Sequence, residues 1–512
     1  MRRDDATLLD LQKAARLALQ FKGDASRQEF LDDAKTQSAT TTKGCAPIDC
    51  WRRKEEEEMA VGVRRRDPTA RGVLGFVHSS VVVAVVLSSA CGSVTEEPVP
   101  CDYGLSFADR ELLLAVVQAI RGDDDACVPV SQHERLQLEV LDVSGKGIRE
   151  LDGLQQLGNL RTLRLDDNEV VDVSPLSALT HLTLLSLSRN NVSAVSPLGA
   201  LKKLKSLGIS HNPIGDHSVL SQLSTLEGLW CIDTNMSSLE FAAALPELTI
   251  LDISGNHVVD VTALAELTAL EDLNLSGNEI QDAGPLAAVP SLRRLDLSQN
   301  PLEKAPALDG LKFLTELDLS FCDLADVEPL SGMPALETLN VSKNLLQDVE
   351  PIGSLQSLEV LFASGNEIVS LAGLEELGKL RVLDVYDNEL TDLQPIGSVS
   401  TLRHLDAAHN QIHDMSPLTG LHELFWLDLS ANLLTDIGHL AGFQELSWAN
   451  LSANLVTDLA PLLASVGLLE CGFLIVLENS PLDCTGQAEN VAKLRLRDCW
   501  VVWDCDDEYK FP

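Results

Sequence analysis

Asparagine recurs every 22 residues along most of this chain. Asn168, Asn190 and Asn212 begin the series, and Asn235 and Asn256 follow with one residue gained and then lost. Asn278, Asn300, Cys322, Asn344, Asn366, Asn388, Asn410, Asn432 and Asn454 complete it. Each closes the phrase L-x-x-L-x-L-x-x-N, as in Leu270-Glu271-Asp272-Leu273-Asn274-Leu275-Ser276-Gly277-Asn278. Self-similarity at a fixed period of this length specifies a solenoid, because one unit cannot bury its apolar side chains without a neighbouring copy.

The phrase has a mechanical reading. Leu273 and Leu275 alternate along a short strand and point to one side of it. Stacked coils merge these leucines into one apolar column. The Asn side chain stands where the chain leaves the strand and is placed to bond backbone groups that the turn orphans. After it come Ser174-Pro175-Leu176, Ser196-Pro197-Leu198 and Ser416-Pro417-Leu418. Ser is expected to cap, and Pro to begin, a short 3₁₀ or single-turn helix on the convex side. Recurrent Pro excludes long helices there.

The pattern resembles the leucine-rich repeat family, in the 22-residue subtype shared by bacterial internalin-like proteins and a phosphatase regulatory subunit. The resemblance covers roughly Leu138 to Leu459, and with the flanking caps nearly everything after Cys101. It implies an α/β solenoid: a right-handed horseshoe with a parallel concave sheet, a short-helical convex side, a helical N-terminal cap and a cysteine-bearing C-terminal cap. The expected organisation is an extension over 1–58, a signal or anchor over 59–91, and a linker with N-terminal cap over 92–137. About 15 repeats follow over 138–460, and a C-terminal cap over 461–512. This repeat is informative about fold and silent about partner.

The net charge is −39. Residues 1–90 hold 15 Lys/Arg against 13 Asp/Glu, so the remainder carries −41. A surface this acidic repels nucleic acid and anionic headgroups and favours either plain solubility or basic partners. The front of the chain differs in kind. Leu8 to Phe21 reads as a helix and Lys35 to Lys43 as a polar, disordered stretch. Arg64-Arg65-Arg66 and Arg71 then precede an apolar run, Val73 to Ala90, that ends in Ser88-Ser89-Ala90-Cys91. That order is the layout of a secretory signal beginning at Met59. It resembles a bacterial lipoprotein signal with Cys91 as the lipidated mature terminus. Ser88 stands where such signals carry Leu, and a transmembrane anchor or an ordinary cleaved signal is the alternative. Either places the repeats outside the cytoplasm.

Ser106 to Ile120 reads as a capping helix with Ser106 at its N-cap and an apolar stripe of Leu112, Leu113, Val116, Val117 and Ile120. This stretch, followed by Asp142-Val143-Ser144-Gly145-Lys146-Gly147-Ile148, is similar to the helical start of internalin-like proteins. Asn479-Ser480-Pro481-Leu482-Asp483-Cys484 and Asp504-Cys505 resemble a cysteine-bearing exit cap. The resemblance and an oxidising compartment together imply pairs Cys101–Cys127 and Cys484–Cys505, with Cys471 and Cys499 unassigned. Zinc competes weakly, because the spacings are wide and no C-x₂-C occurs. Cys231 and Cys322 lie four coils apart, about 19 Å, and should stay reduced.

Positions between the paired leucines face the concave side. They run Asp142, Arg164, Ser186, Gly208 and then Asp252, Asn274, Asp296, Asp318, Asn340, Phe362, Asp384, Asp406, Asp428 and Asn450. Such an acidic ladder serves solubility or attracts cations. Aromatics are only 4% of the chain, yet Phe362, Tyr386, Trp426 and Trp448 fall on this face with His404 and His409 among them. Exposed aromatics on a rigid sheet are what macromolecular recognition uses, although Trp426 and Trp448 can also simply stack on each other. The proposed contact set is Phe362, Tyr386, His404, Asp406, Trp426, Asp428 and Trp448. No nucleophile or third metal ligand accompanies His404, Asp406 and His409, and no D-x-D-x-D-G run marks calcium. The sequence therefore predicts no catalytic residue, cofactor or metal. It predicts a monomeric, exported module that binds a protein, with a carbohydrate-binding wall protein and an intracellular phosphatase-regulating scaffold as alternatives. The extra residue between Leu226 and Asn235 predicts a bulge that buries Trp230.

Overall fold

The computed structural model describes residues 103–122, 128–302, 304–443, 445–464, 474–496 and 500–505. Within them 17 three-residue strands form a single parallel sheet. Strands β1 (Val140–Asp142) through β15 (Trp448–Asn450) follow one another at 22-residue steps, and β16 (Leu474–Val476) and β17 (Trp500–Val502) at 26. Each strand pairs in register with the next, so residues 22 apart lie side by side. The middle leucine of each strand and the one two residues on are sealed inside, for example Leu273 and Leu275. Each such side chain contributes about 2 kcal/mol by leaving water. The return path is a short 3₁₀ turn in most coils, such as Ser174–Ala178 and Ser416–Gly420.

The ladder asparagines bind across coils. Asn278 Oδ1 accepts the Val258 N–H at 3.0 Å, and its Nδ2 donates to the carbonyls of Ile253 and Leu275 at 3.0 and 2.9 Å. One amide thus serves two coils, which explains why the slot is so strictly kept.

The irregular coil is regular in space. Trp230 sits in β5 (Gly228–Trp230), between Gly208 and Asp252 in unbroken register, so there is no bulge. Thr234, not Asn235, fills the asparagine slot, and the period of 22 never slips. Trp230 is therefore half-buried on the concave face rather than in the core. The two departures from Asn have one cause. Thr234 and Cys322 each follow a coil that reads Asn-Pro, at Asn212-Pro213 and Asn300-Pro301. There the N–H of Ile214 or Leu302 turns back to its own coil's Asn carbonyl at 2.8 Å. That backbone N–H is then not offered to the next coil's side chain, and one that donates to the carbonyls suffices in the slot. Thr234 Oγ1 donates to the Cys231 carbonyl, and Cys322 Sγ to that of Leu297.

The turn caps also differ from expectation. The N–H of Ser174, Ser218, Thr262 and Ser416 donates to the aspartate two residues earlier, at 2.8 Å in each case. A carboxylate, not the Ser hydroxyl, caps these turns. At the N-terminal end α1 (Arg110–Arg121) begins four residues later than the pattern indicates. Asp109 is its N-cap, accepting from Leu112 N–H, and Gly122 in the left-handed region ends it. A second helix, α2 (Gln132–Gln137), carries a reciprocal Ser131–Glu134 capping box. At the other end, helices α3 (Ala460–Ala464) and α4 (Cys484–Leu496) close the stack. The Cys484–Cys505 disulfide ties α4 to the residues after β17, with Cα atoms 5.5 Å apart. Cys231 and Cys322 are buried, free thiols. The extension over 1–58, the signal segment with Cys91, and the Cys101–Cys127 pair lie outside the described residues.

Candidate functional site

The concave face is built from parallel columns, and the proposed contact residues fall in three of them. His404, Trp426 and Trp448 each precede the core residue of their strands, β13 (His404–Asp406), β14 (Trp426–Asp428) and β15. They lie side by side in register, and the side chains follow. The His404 ring stacks on Trp426 at 3.9 Å between centroids and 4° between planes. Trp426 stacks on Trp448 at 4.5 Å and 12°. The result is a continuous aromatic pile, each member half-buried, resting beside the buried Val360 and Val382 of the same column. Such stacking adds about 0.5–1.5 kcal/mol per pair and fixes the rings before any partner arrives. Crowding from burial pushes the His404 pKa down, so its imidazole is neutral at pH 7.

The second column holds the acids. Phe362, Asp384, Asp406 and Asp428 occupy neighbouring strands β11 (Val360–Phe362) to β14. Phe362 lies on this face as expected but is only 3% exposed, packed between its neighbours, and offers almost no surface. Asp384 and Asp406 are also buried, at 1% and 7%. Elsewhere in the column a serine two residues on supplies both N–H and hydroxyl, as Ser298 does for Asp296. Tyr386 and Ala408 stand at that place after Asp384 and Asp406 and supply an N–H but no such hydroxyl, and Asp384 draws on Ser364 of the preceding coil instead. Asp384 Oδ2 is left buried without a well-aligned partner. Burial raises the Asp384 pKa to about 6. Burial, and then the charges of Asp384 and Asp428, push Asp406 well above the usual carboxylate range. Asp428 is raised less freely, because Ser430 and Asn450 donate to it.

Tyr386 belongs to a third column at the edge of the sheet. It meets His409, ring centroids 4.9 Å apart, and does not join the pile. The structure therefore brings together His404, Trp426 and Trp448, with Asp406 and Asp428 beside them, and sets Phe362 and Tyr386 apart. Arithmetic in steps of 22 identifies the pile directly, since 404, 426 and 448 are consecutive terms. Among the described residues no group of three His, Cys, Asp or Glu side chains is placed to hold a metal ion.

Two segments, residues 268–310 and 312–354, match the family described as leucine rich repeats in two copies. The chain is a leucine-rich repeat protein. The fold is similar to that of an internalin (inlF) from Listeria monocytogenes, at 29% identity and a TM-score of 0.56, over 67% of this chain and 95% of that one. It is also similar to a leucine-rich repeat protein of Leptospira interrogans, at 23% identity and TM-score 0.67, over 72% and 97%. A third likeness is the functional domain of InlJ from Listeria monocytogenes, which includes a cysteine ladder, at 20% identity and TM-score 0.56, over 73% and 81%. In this leucine-rich repeat chain cysteine enters the ladder once among the described coils, at Cys322, for the reason given by Pro301. No curated protein sequence matches the chain.

Proposed function

We propose that this leucine-rich repeat protein is an exported, non-catalytic module that grips a protein partner on its concave face at strands β13–β15. The observation that carries the reading is the His404–Trp426–Trp448 pile. Its rings are ordered by one another, yet each keeps exposed area, and six tryptophans in the whole chain are few to spend on surface. Rigid aromatics with low residual entropy are efficient anchors. The acid column beside them suits Lys or Arg on the partner, because a cation over Asp406 and Asp428 offsets their mutual repulsion. Export rests on the basic, apolar and SSAC order before Cys91, and the Cys484–Cys505 bond fits an oxidising compartment. Lipid attachment at Cys91 is the anchoring consistent with that order. Among the described residues no helix is long and apolar enough to cross a membrane.

The test is paired capture. Full-chain protein and a Trp426→Ala/Trp448→Ala variant are presented to the same envelope and extracellular extracts. A partner retained by the first and lost by the second, at equal folding by circular dichroism, supports the reading. Identical recoveries overturn it.

A further inference from the structure

A second concave feature lies at the opposite end of the stack and owes nothing to the aromatic pile. In the acid column, Arg164, Ser186, Gly208 and Trp230 replace Asp or Asn on four consecutive strands, β2 (Thr162–Arg164) to β5. On either side the column reads Asp142 and Asp252. Gly228 is the glycine of the neighbouring column, and it is required: a Cβ there would lie 2.6 Å from Cη2 of Trp230. The indole thus lies over its own strand instead of standing out from the sheet. With Gly208 contributing no side chain, the face sinks into a hollow of about 500 Å³. Arg164, Ser186, Ser206, Ser210, His211 and Trp230 are among its walls.

The structural task of the missing acids is met another way. Asp166 accepts from the Ser186 hydroxyl and the Ser188 N–H, reaching across a coil to do so. At Ser186 the missing acid's role is thus taken over by Asp166, and all four replacements remove negative charge from this stretch of the column. Residues 173–215 contain Arg189, Lys202, Lys203 and Lys205 and no Asp or Glu, in a chain with 77 acids. Arg164 is exposed and pairs with no carboxylate among the described residues. Arg189 pairs with Asp167 and Lys205 with Glu227, and Asp166 and Asp167 also line the hollow, so its charges nearly balance on an otherwise strongly acidic molecule, with Arg164 as its exposed cation.

We infer that this hollow binds an acidic oligosaccharide, with a sugar ring on Trp230 and a carboxylate on Arg164. An indole laid flat offers a face to the C–H groups of a pyranose. Serine hydroxyls match the ring hydroxyls, and a guanidinium takes a carboxylate with two parallel bonds. From β2 to β5 the hollow runs three strand steps, about 14 Å, the reach of a short oligosaccharide. An acidic peptide would satisfy Arg164 but has no use for a flat platform lined by hydroxyls.

Calorimetry on the full chain with tetragalacturonate, neutral tetragalactose and tetraglutamate separates the cases. Tetragalacturonate binds, weakens with salt, and loses about tenfold or more in affinity with Trp230→Ala and with Arg164→Gln. Gly208→Asp restores the column's usual acid, fills the hollow and abolishes binding without lowering the melting temperature. Trp426→Ala leaves binding unchanged, so this result stands apart from the aromatic pile. The inference is overturned if tetragalacturonate gives no heat, if tetragalactose binds equally, if tetraglutamate binds as tightly through the same residues, or if the variants leave affinity intact.

Discussion

Replacing Asp406 by Asn should stabilise the protein at alkaline pH and leave it unchanged in acid. Asp384, Asp406 and Asp428 are in register on adjacent strands, about 4.8 Å apart, and largely shut from water. Burial raises the Asp384 pKa from the ordinary 3.8 to about 6. That displacement is worth roughly 3 kcal/mol in favour of the protonated form. Asp406, between two acids, is raised as well. A carboxyl with a raised folded-state pKa gives its full stability below about pH 4, where both states hold the proton. It loses that stability as pH climbs through the folded value near 6. The column already contains the remedy: Asn340 Nδ2 donates to Asp318 at 2.8 Å and Asn450 Nδ2 to Asp428 at 3.0 Å. An asparagine at 406 would repeat this toward the unpartnered Asp384 Oδ2 while still accepting the Ala408 N–H. In urea titrations the variant should exceed the parent by about 2 kcal/mol at pH 8 and match it at pH 4. A variant no more stable than the parent at pH 8, or equally shifted at both pH values, would refute the reasoning.

Three further outcomes follow from the coil geometry. Thr234→Asn alone should destabilise, because the Ile214 N–H that an asparagine oxygen accepts in other coils is turned back to Asn212. Combined with Pro213→Glu, which lets the Ile214 N–H turn outward, it should recover by about 1 kcal/mol, and strict additivity in the double-mutant cycle would sink the account of Asn-Pro coils. Breaking Cys484–Cys505, which closes a separation of 21 residues, should lower stability of the C-terminal cap by about 3 kcal/mol. Limited proteolysis should then cut first around α4, and unchanged cleavage would place the stabilisation elsewhere. Cys231 and Cys322 should resist alkylation in the native state, since burial pushes both thiols up, Cys322 to about 12. Peptide mapping that finds either labelled without denaturant contradicts their position in the core.

The 22-residue period was enough to place the strands, the leucine core and the Asn ladder, because each is a direct consequence of stacking identical units. The Cys484–Cys505 pair was legible through likeness to a cap. Errors arose where one residue's role depends on another coil. Reading Asn235 as the ladder residue shifted Trp230 from the concave face into the core, since the constraint imposed by Pro213 lies 21 residues upstream. Phe362 was correctly put on the concave face, but its burial depends on Asn340 and Asp384 flanking it, which alternation along one strand cannot report. The helix start moved from Ser106 to Asp109 because both are good caps and packing chose between them. Stacking of His404, Trp426 and Trp448 required only the period, whereas the raised acids beside them required knowing that Tyr386 and Ala408 withhold a hydroxyl.

Whether the aromatic pile is where a partner sits is most directly measured by oxidative footprinting of the full chain, alone and with its captured partner. Hydroxyl radicals modify indoles in proportion to their exposure, and Trp426 and Trp448 each retain exposed surface. The account predicts that the partner protects Trp426 and Trp448 several-fold, while Phe313, exposed at 59% and away from strands β13–β15, is modified at its free rate. Protection of Phe313 with Trp426 and Trp448 unchanged would contradict it and move the binding surface off this part of the concave face.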